Sequence, residues 1–111
     1  GENRMSKTIY LNIFGESPIN KILDFLVVYD QFDYSLTDIA KNSGVSYSTL
    51  QLMWKDLEKL GIVELNRVVG KAKMYKLNKN NKVVNDFIDF YWKVVKSETV
   101  KEVSGKIIIN N

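Results

Sequence analysis

The sequence predicts a mainly α-helical domain with one small antiparallel β-hairpin, an α+β chain of 111 residues. Three observations predict it. Between Ser17 and Leu60 the apolar residues recur at helical spacing in three stretches, each opened by a serine that can cap. After Gly61 the period shortens to that of strands, in two runs separated by a segment containing Gly70. From Val84 onward a helical stripe returns.

Element by element, Thr8 to Phe14 fits either a short strand or a short helical lead-in, and periodicity leaves both open. Ser17-Pro18 starts a helix, because Ser caps and the missing proline N–H is an orphan at the first helical position anyway. Ile19, Ile22, Leu23, Leu26 and Val27 form its inner face, widened by Phe25, Val28 and Tyr29, so this helix is expected to be central. Asp30 to Tyr34 reads as a polar loop. Ser35 then caps a short helix over Leu36 to Asn42, which Ser43-Gly44 breaks. Ser46 caps a third helix from Tyr47 to about Leu60, with Leu50, Met53, Trp54, Leu57 and Leu60 inward. Trp54 is read as core. Ile62–Arg67 and Met74–Leu77 are strands, and Val68–Lys73 is the hairpin loop. Val84, Phe87, Ile88, Tyr91, Val94 and Val95 mark a last helix, and Lys106–Ile109 reads as a tail strand.

Composition removes several functions. The chain has no Cys and no His, which excludes disulfides, thiolate sites, a Cys nucleophile and the commonest general base and zinc ligand. Its longest apolar run, Phe25–Tyr29, is far short of the ~20 residues that span a bilayer. The N-terminus lacks a signal-peptide stretch, and Gly1–Arg4 read as an appended leader outside the fold. A cytoplasmic protein without cofactor, metal or catalysis is expected. Asp30 with Asp33, and Asp86 with Asp89, are read as solvated surface. Net charge is only +3, but it is unevenly distributed: Asn66–Lys82 holds six cations (Arg67, Lys71, Lys73, Lys76, Lys79, Lys82) and no acid. Glu16–Ala40 holds five acids against Lys21. A basic stripe on an otherwise acidic chain is either a polyanion-binding footprint or a solvated, lysine-rich hairpin.

Two helices joined by a short Gly-containing turn, the second opened by a capping Ser, make a helix-turn-helix. The basic hairpin behind it makes the winged form. Asp38-Ile39-Ala40-Lys41-Asn42-Ser43-Gly44-Val45-Ser46-Tyr47-Ser48-Thr49-Leu50, with Leu57-Glu58-Lys59-Leu60-Gly61-Ile62-Val63 after it, resembles the winged-helix transcription regulators. The resemblance is to MarR-like and ArsR-like prokaryotic proteins, especially small archaeal ones, and spans about Ser17 to Leu77. It implies double-stranded DNA as partner. It implies that Ser46 caps the recognition helix, that Tyr47, Ser48 and Gln51 face the groove, and that Thr49 and Lys55 lie near phosphates. It implies that Arg67, Lys71 and Lys73 contact DNA from a wing turned at Gly70. Leu52 departs from the pattern, standing where such helices often carry Arg or Lys. It either touches a thymine methyl or weakens base reading.

The last helix is apolar over more than one face, so a homodimer through Phe87, Phe90, Tyr91, Val94 and Val95 is expected. Its aromatics serve equally as dimer core or as a pocket for a small effector. In the competing arrangement the first segment and the tail fold over this helix in a monomer. The organisation expected is a lead-in over 1–16, a winged domain over 17–77, a dimerisation helix over 78–97 and a tail over 98–111. The leading function is a dimeric, DNA-binding transcriptional regulator. The alternatives are a winged-helix protein-interaction module and an architectural or segregation protein that coats DNA without base preference.

Overall fold

A computed structural model describes residues 7–110, with side chains described through residue 97. The element order is α1 (Ile9–Phe14), α2 (Pro18–Val28), α3 (Leu36–Ser43), α4 (Tyr47–Lys59), β1 (Val63–Val69), β2 (Ala72–Leu77) and α5 (Lys82–Asn110). The fold is the expected α+β arrangement, five helices with one antiparallel hairpin. Each of the first four helices opens on a side-chain cap: Thr8, Ser17, Ser35 and Ser46 accept from the backbone N–H three residues on. That cap settles the first segment as a helix. The α3–α4 turn passes through Gly44 at φ 77°, a left-handed conformation costly to residues with a Cβ.

The core runs along α2. Ile22, Phe25, Leu26 and Val27 are buried there, and Ile39 and Ala40 of α3, Leu50, Trp54 and Leu57 of α4, and Tyr75 and Leu77 of β2 close around them. Trp54 is core, as expected, set edge-on to Tyr75 at 5.3 Å between ring centroids. Leu60 is not: it caps the C-terminus of α4 and is 69% exposed, because the chain turns away there toward β1.

The hairpin is longer and its turn tighter than expected. β1 and β2 pair from Val63↔Leu77 out to Val69↔Ala72, which leaves Gly70 and Lys71 as a two-residue turn in place of a Val68–Lys73 loop. Gly70 at φ 62° supplies the positive φ that such turns require, so pairing continues to the tip. A bulge interrupts the register between Leu65 and Arg67, leaving Asn66 unpaired. Tyr34 adds an isolated antiparallel bridge to Tyr75 on the outer side of β2.

α5 continues past Ser97 to Asn110, so the tail expected over 98–111 is helical up to that residue and the strand expected at Lys106–Ile109 is not formed. The segment has no proline. A helix satisfies its own backbone groups, whereas a strand there needs a ladder partner.

α1 folds against α5, as the monomeric alternative had it for the first segment. The Tyr10 ring lies 5.1 Å from Tyr91 and 5.9 Å from Phe87, and Phe14 lies 5.8 Å from Phe90. Beneath them is a buried carboxylate. Asp24 Oδ1 accepts from Thr8 Oγ1 at 2.7 Å and from Tyr91 Oη at 2.6 Å. Burial first, then the bond to Asp24, pushes the Tyr91 phenol far above its usual value. A hydrogen bond to a charged group contributes about 1.5–3 kcal/mol. Tyr91→Phe is expected to destabilise the fold by an amount of that order, lowering the urea midpoint with the m-value unchanged.

Candidate nucleic-acid interface

α4 presents an exposed stripe opposite its buried face. Tyr47, Ser48, Gln51, Leu52 and Lys55 are all exposed, at the three- and four-residue spacing that places side chains on one helix face. Gln51 Nε2 donates to Tyr47 Oη at 3.3 Å, so these two side chains act as a pair. Leu52 is the most exposed large apolar residue on the helix, at 77%. Lys55 is the stripe's one cation. Ser46 caps the helix, accepting from Thr49 N at 3.2 Å and donating to Thr49 Oγ1 at 2.9 Å. Thr49 is therefore half-buried in the cap. The structure brings the expected recognition residues together at a helix N-terminus, whose dipole end suits an anion.

The wing's charges divide into two groups. Arg67 donates through Nε to Asp33 Oδ2 at 2.7 Å and through Nη2 to Asp33 Oδ1 at 3.1 Å. Asn66 Nδ2 donates to the same Oδ2 at 2.8 Å. Lys79 pairs with Asp30 at 2.9 Å, and Lys82 pairs with Asp86 at 3.2 Å. Among the described residues no ion pair involves Lys71, Lys73 or Lys76. Gly70 and Lys71 form the tip, and Lys73 follows two residues later, exposed. Three of the six basic residues are thus already partnered within the chain.

This corrects the reading of two of the acids: Asp30 and Asp33 are largely covered and each holds a cation. Asp86 and Asp89 are solvated surface as expected, in exposed pairs with Lys82 and with Lys93, the latter at 3.0 Å. The bonds from Arg67, then from Asn66, pull the Asp33 carboxyl down to about 2. Sequence reasoning missed Asp33 and Asn66 because they lie 33 residues apart and neither belongs to a motif.

The expected dimer residues divide as well. Tyr91 is 1% exposed within the single chain, where Asp24 and Tyr10 claim it. That removes it from the outer surface. Phe87, Val94 and Val95 are half-buried, and Phe87 packs on Tyr10. Phe90 is exposed at 47%, with Phe14 beside it and Val83 exposed one heptad earlier. Phe87, Phe90 and Tyr91 of α5 pack on the rings of α1, and Trp92 lies exposed against Tyr91.

Helices α2, α3 and α4 with the β1–β2 hairpin form a winged helix-turn-helix. No protein-family model matches the chain, and no curated protein matches it. Solved structures do. One is the homodimeric winged helix-turn-helix DNA-binding domain of a possible ArsR-family transcriptional regulator from Mycobacterium bovis. It is 24% identical with a TM-score of 0.52, covering 74% of this chain and 69% of that one. Lactococcus lactis ZitR, solved in complex with DNA, is 15% identical with a TM-score of 0.55, over 78% of this chain and 60% of its own. A DNA-binding protein from Sulfolobus solfataricus is 17% identical with a TM-score of 0.50, over 78% of this chain and 88% of its own. At these identities the likeness is one of fold, and the fold is that of winged-helix transcription regulators. No helix among the described residues is long and apolar enough to cross a membrane.

The Asp33 shift carries a sign. A carboxyl lowered in the folded state contributes stability that is fully present above the ordinary Asp range near pH 4 and is lost as pH falls toward 2. A carboxyl-detected NMR titration is expected to show Asp33 titrating near 2, with the wing in place down to at least pH 4.

Proposed function

We propose that this chain is a dimeric, double-stranded DNA-binding transcriptional regulator. Its recognition helix is α4 and its phosphate contacts come from the wing tip. The observation that carries the reading is the capped, exposed stripe Tyr47–Lys55 on a helix-turn-helix that also bears a hairpin tipped with unpaired lysines. Ser46 orients the helix N-terminus. Tyr47, Ser48 and Gln51 read base edges as donors and acceptors, and Leu52 offers an apolar contact for a thymine methyl. Thr49 lies near phosphate, and Lys55 with Lys71 and Lys73 neutralises phosphates. Because α4 carries a single cation in its exposed stripe, most of the electrostatic affinity comes from the wing.

The second copy is seated on the α1–α5 face around Phe14 and Phe90, with Val83, Phe87, Val94 and Val95 at its margins. Supporting this are the half-exposed aromatic pair and the homodimeric state of the Mycobacterium bovis domain. Two-fold symmetry then pairs the recognition helices with half-sites about one DNA turn apart.

One observation favours a second reading. Leu52, exposed beside Tyr47 on a stripe poor in cations, suits a protein surface as well as a groove, as in a winged-helix interaction module. Binding to random duplex as a function of salt, followed by selection and sequencing, separates the readings. A steep slope with an enriched palindrome is the expected result. A steep slope without enrichment indicates an architectural or segregation binder. No retardation at low salt sinks the DNA reading and leaves the interaction module.

Lys71→Ala and Lys73→Ala are each expected to flatten the slope of log K against log salt by about 0.9. Gln51→Ala is expected to relax base preference at one position, a change of about 1–3 kcal/mol in discrimination. Phe90→Glu, at a half-exposed site, is expected to shift sedimentation from dimer to monomer without unfolding the chain.

A further inference from the structure

The segment between α2 and α3 grips the wing at three points, from its root to its middle. Asp30 pairs with Lys79, just beyond β2, at 2.9 Å. Tyr34 exchanges both backbone hydrogen bonds with Tyr75 of β2, at 2.8 and 2.9 Å. Between them Asp33 takes Nε and Nη2 of Arg67 and Nδ2 of Asn66, all within 3.1 Å. The bulge makes this last contact possible. In a regular strand neighbouring side chains point to opposite faces, so Asn66 and Arg67 do not reach one carboxylate together. With Asn66 left out of the ladder, both do. The result is a carboxylate only 7% exposed, covered by a guanidinium that is itself 61% exposed.

We propose that Asp33 is a positioning residue of the DNA interface: it fixes the wing against the helix-turn-helix through Arg67 and Asn66, and it withholds Arg67 from phosphate. The inference rests on the DNA-binding reading above. A phosphate that captured Arg67 outright would have to break both guanidinium bonds to Asp33, so that contact is gained only by giving up an existing bidentate, charge-assisted pair. The chain therefore docks its wing through Lys71 and Lys73 and uses Arg67 to aim them. The rival arrangement keeps Nε and Nη2 on Asp33 while the three remaining guanidinium N–H groups reach a phosphate.

The salt dependence of binding to a random-sequence duplex decides between them, measured on the full chain. In a Lys71→Ala/Lys73→Ala background, adding Arg67→Ala is expected to leave the slope unchanged, because Arg67 then has no lysines left to aim. A further flattening of about 0.9 shows that Arg67 itself releases a counterion and overturns the proposal. In the same Lys71→Ala/Lys73→Ala background Asp33→Asn, which removes the charge that holds Arg67, is expected to steepen the slope by about 0.9, and adding Arg67→Ala to cancel that gain. An unchanged slope with Asp33→Asn in this background also overturns it. Amide hydrogen exchange supplies an arm that needs no DNA. Asp33→Asn is expected to speed exchange across β1 and β2 while leaving α4 protected, and equal protection in both variants defeats the positioning role. If the unaltered chain binds no duplex at low salt, the DNA reading fails, and the exchange arm still reports whether Asp33 holds the wing.

Discussion

Oδ1 of Asp24 is where three helices are tied together, and the geometry of the molecule follows from that knot. A carboxylate buried in a helix core is tolerable only if its charge is met by donors. Here the donors are the hydroxyl that caps α1 and the phenol of α5, both on one oxygen of α2. Thr8 does two things at once, closing the N-terminus of α1 and reaching across to Asp24. The six-residue α1 is too short to persist alone, so it exists because of this anchorage and the Tyr10 stack above it. α5 leaves the domain along the line set by Tyr91, which fixes where its outer face lies.

The other end of the molecule is governed by charge already spent. Counting residues gives the hairpin region six cations, but three of them face carboxylates of the same chain. Two of the three cations left without an ion pair among the described residues, Lys71 and Lys73, lie at the tip, while the third, Lys76, stands opposite Glu64 near the root. On the DNA-binding reading proposed above, such a surface would meet a polyanion with a few forward cations rather than with a broad basic plate. That suits selective docking better than indiscriminate adhesion.

Most of this fold was legible from the sequence because its signals are local. Ser17, Ser35 and Ser46 each act on a backbone N–H three residues away, and Gly44 answers to the backbone at its own position. Gly70 announced a turn, but not how tight, since turn length depends on how far the strands pair. What escaped was long-range. Asp33 and Tyr34 looked like ordinary loop residues until β1 and β2 lay beside them, and the bulge at Asn66 leaves no mark in a period-two pattern. Tyr91 sat correctly on an apolar stripe, yet which partner that stripe met depended on α1, whose own state periodicity left open. The exposed stripe of α4 was fully legible, because its buried side is set by the same 3.6-residue repeat.

The displaced ionisations have a consequence for control. The chain has no histidine or cysteine, so it lacks the side chains that ordinarily change charge near neutrality. The shifts that the fold imposes go further in the same direction: Asp33 moves down, Arg67 moves up, and Tyr10, Tyr34, Tyr75 and Tyr91 all move up. One carboxyl becomes a stronger acid, and one guanidinium and four phenols become weaker ones, all moving away from the neutral range. Around neutral pH the charge on these shifted side chains is in effect hard-wired. Near neutrality, occupancy, concentration and ionic strength are therefore the inputs that this set of side chains leaves open.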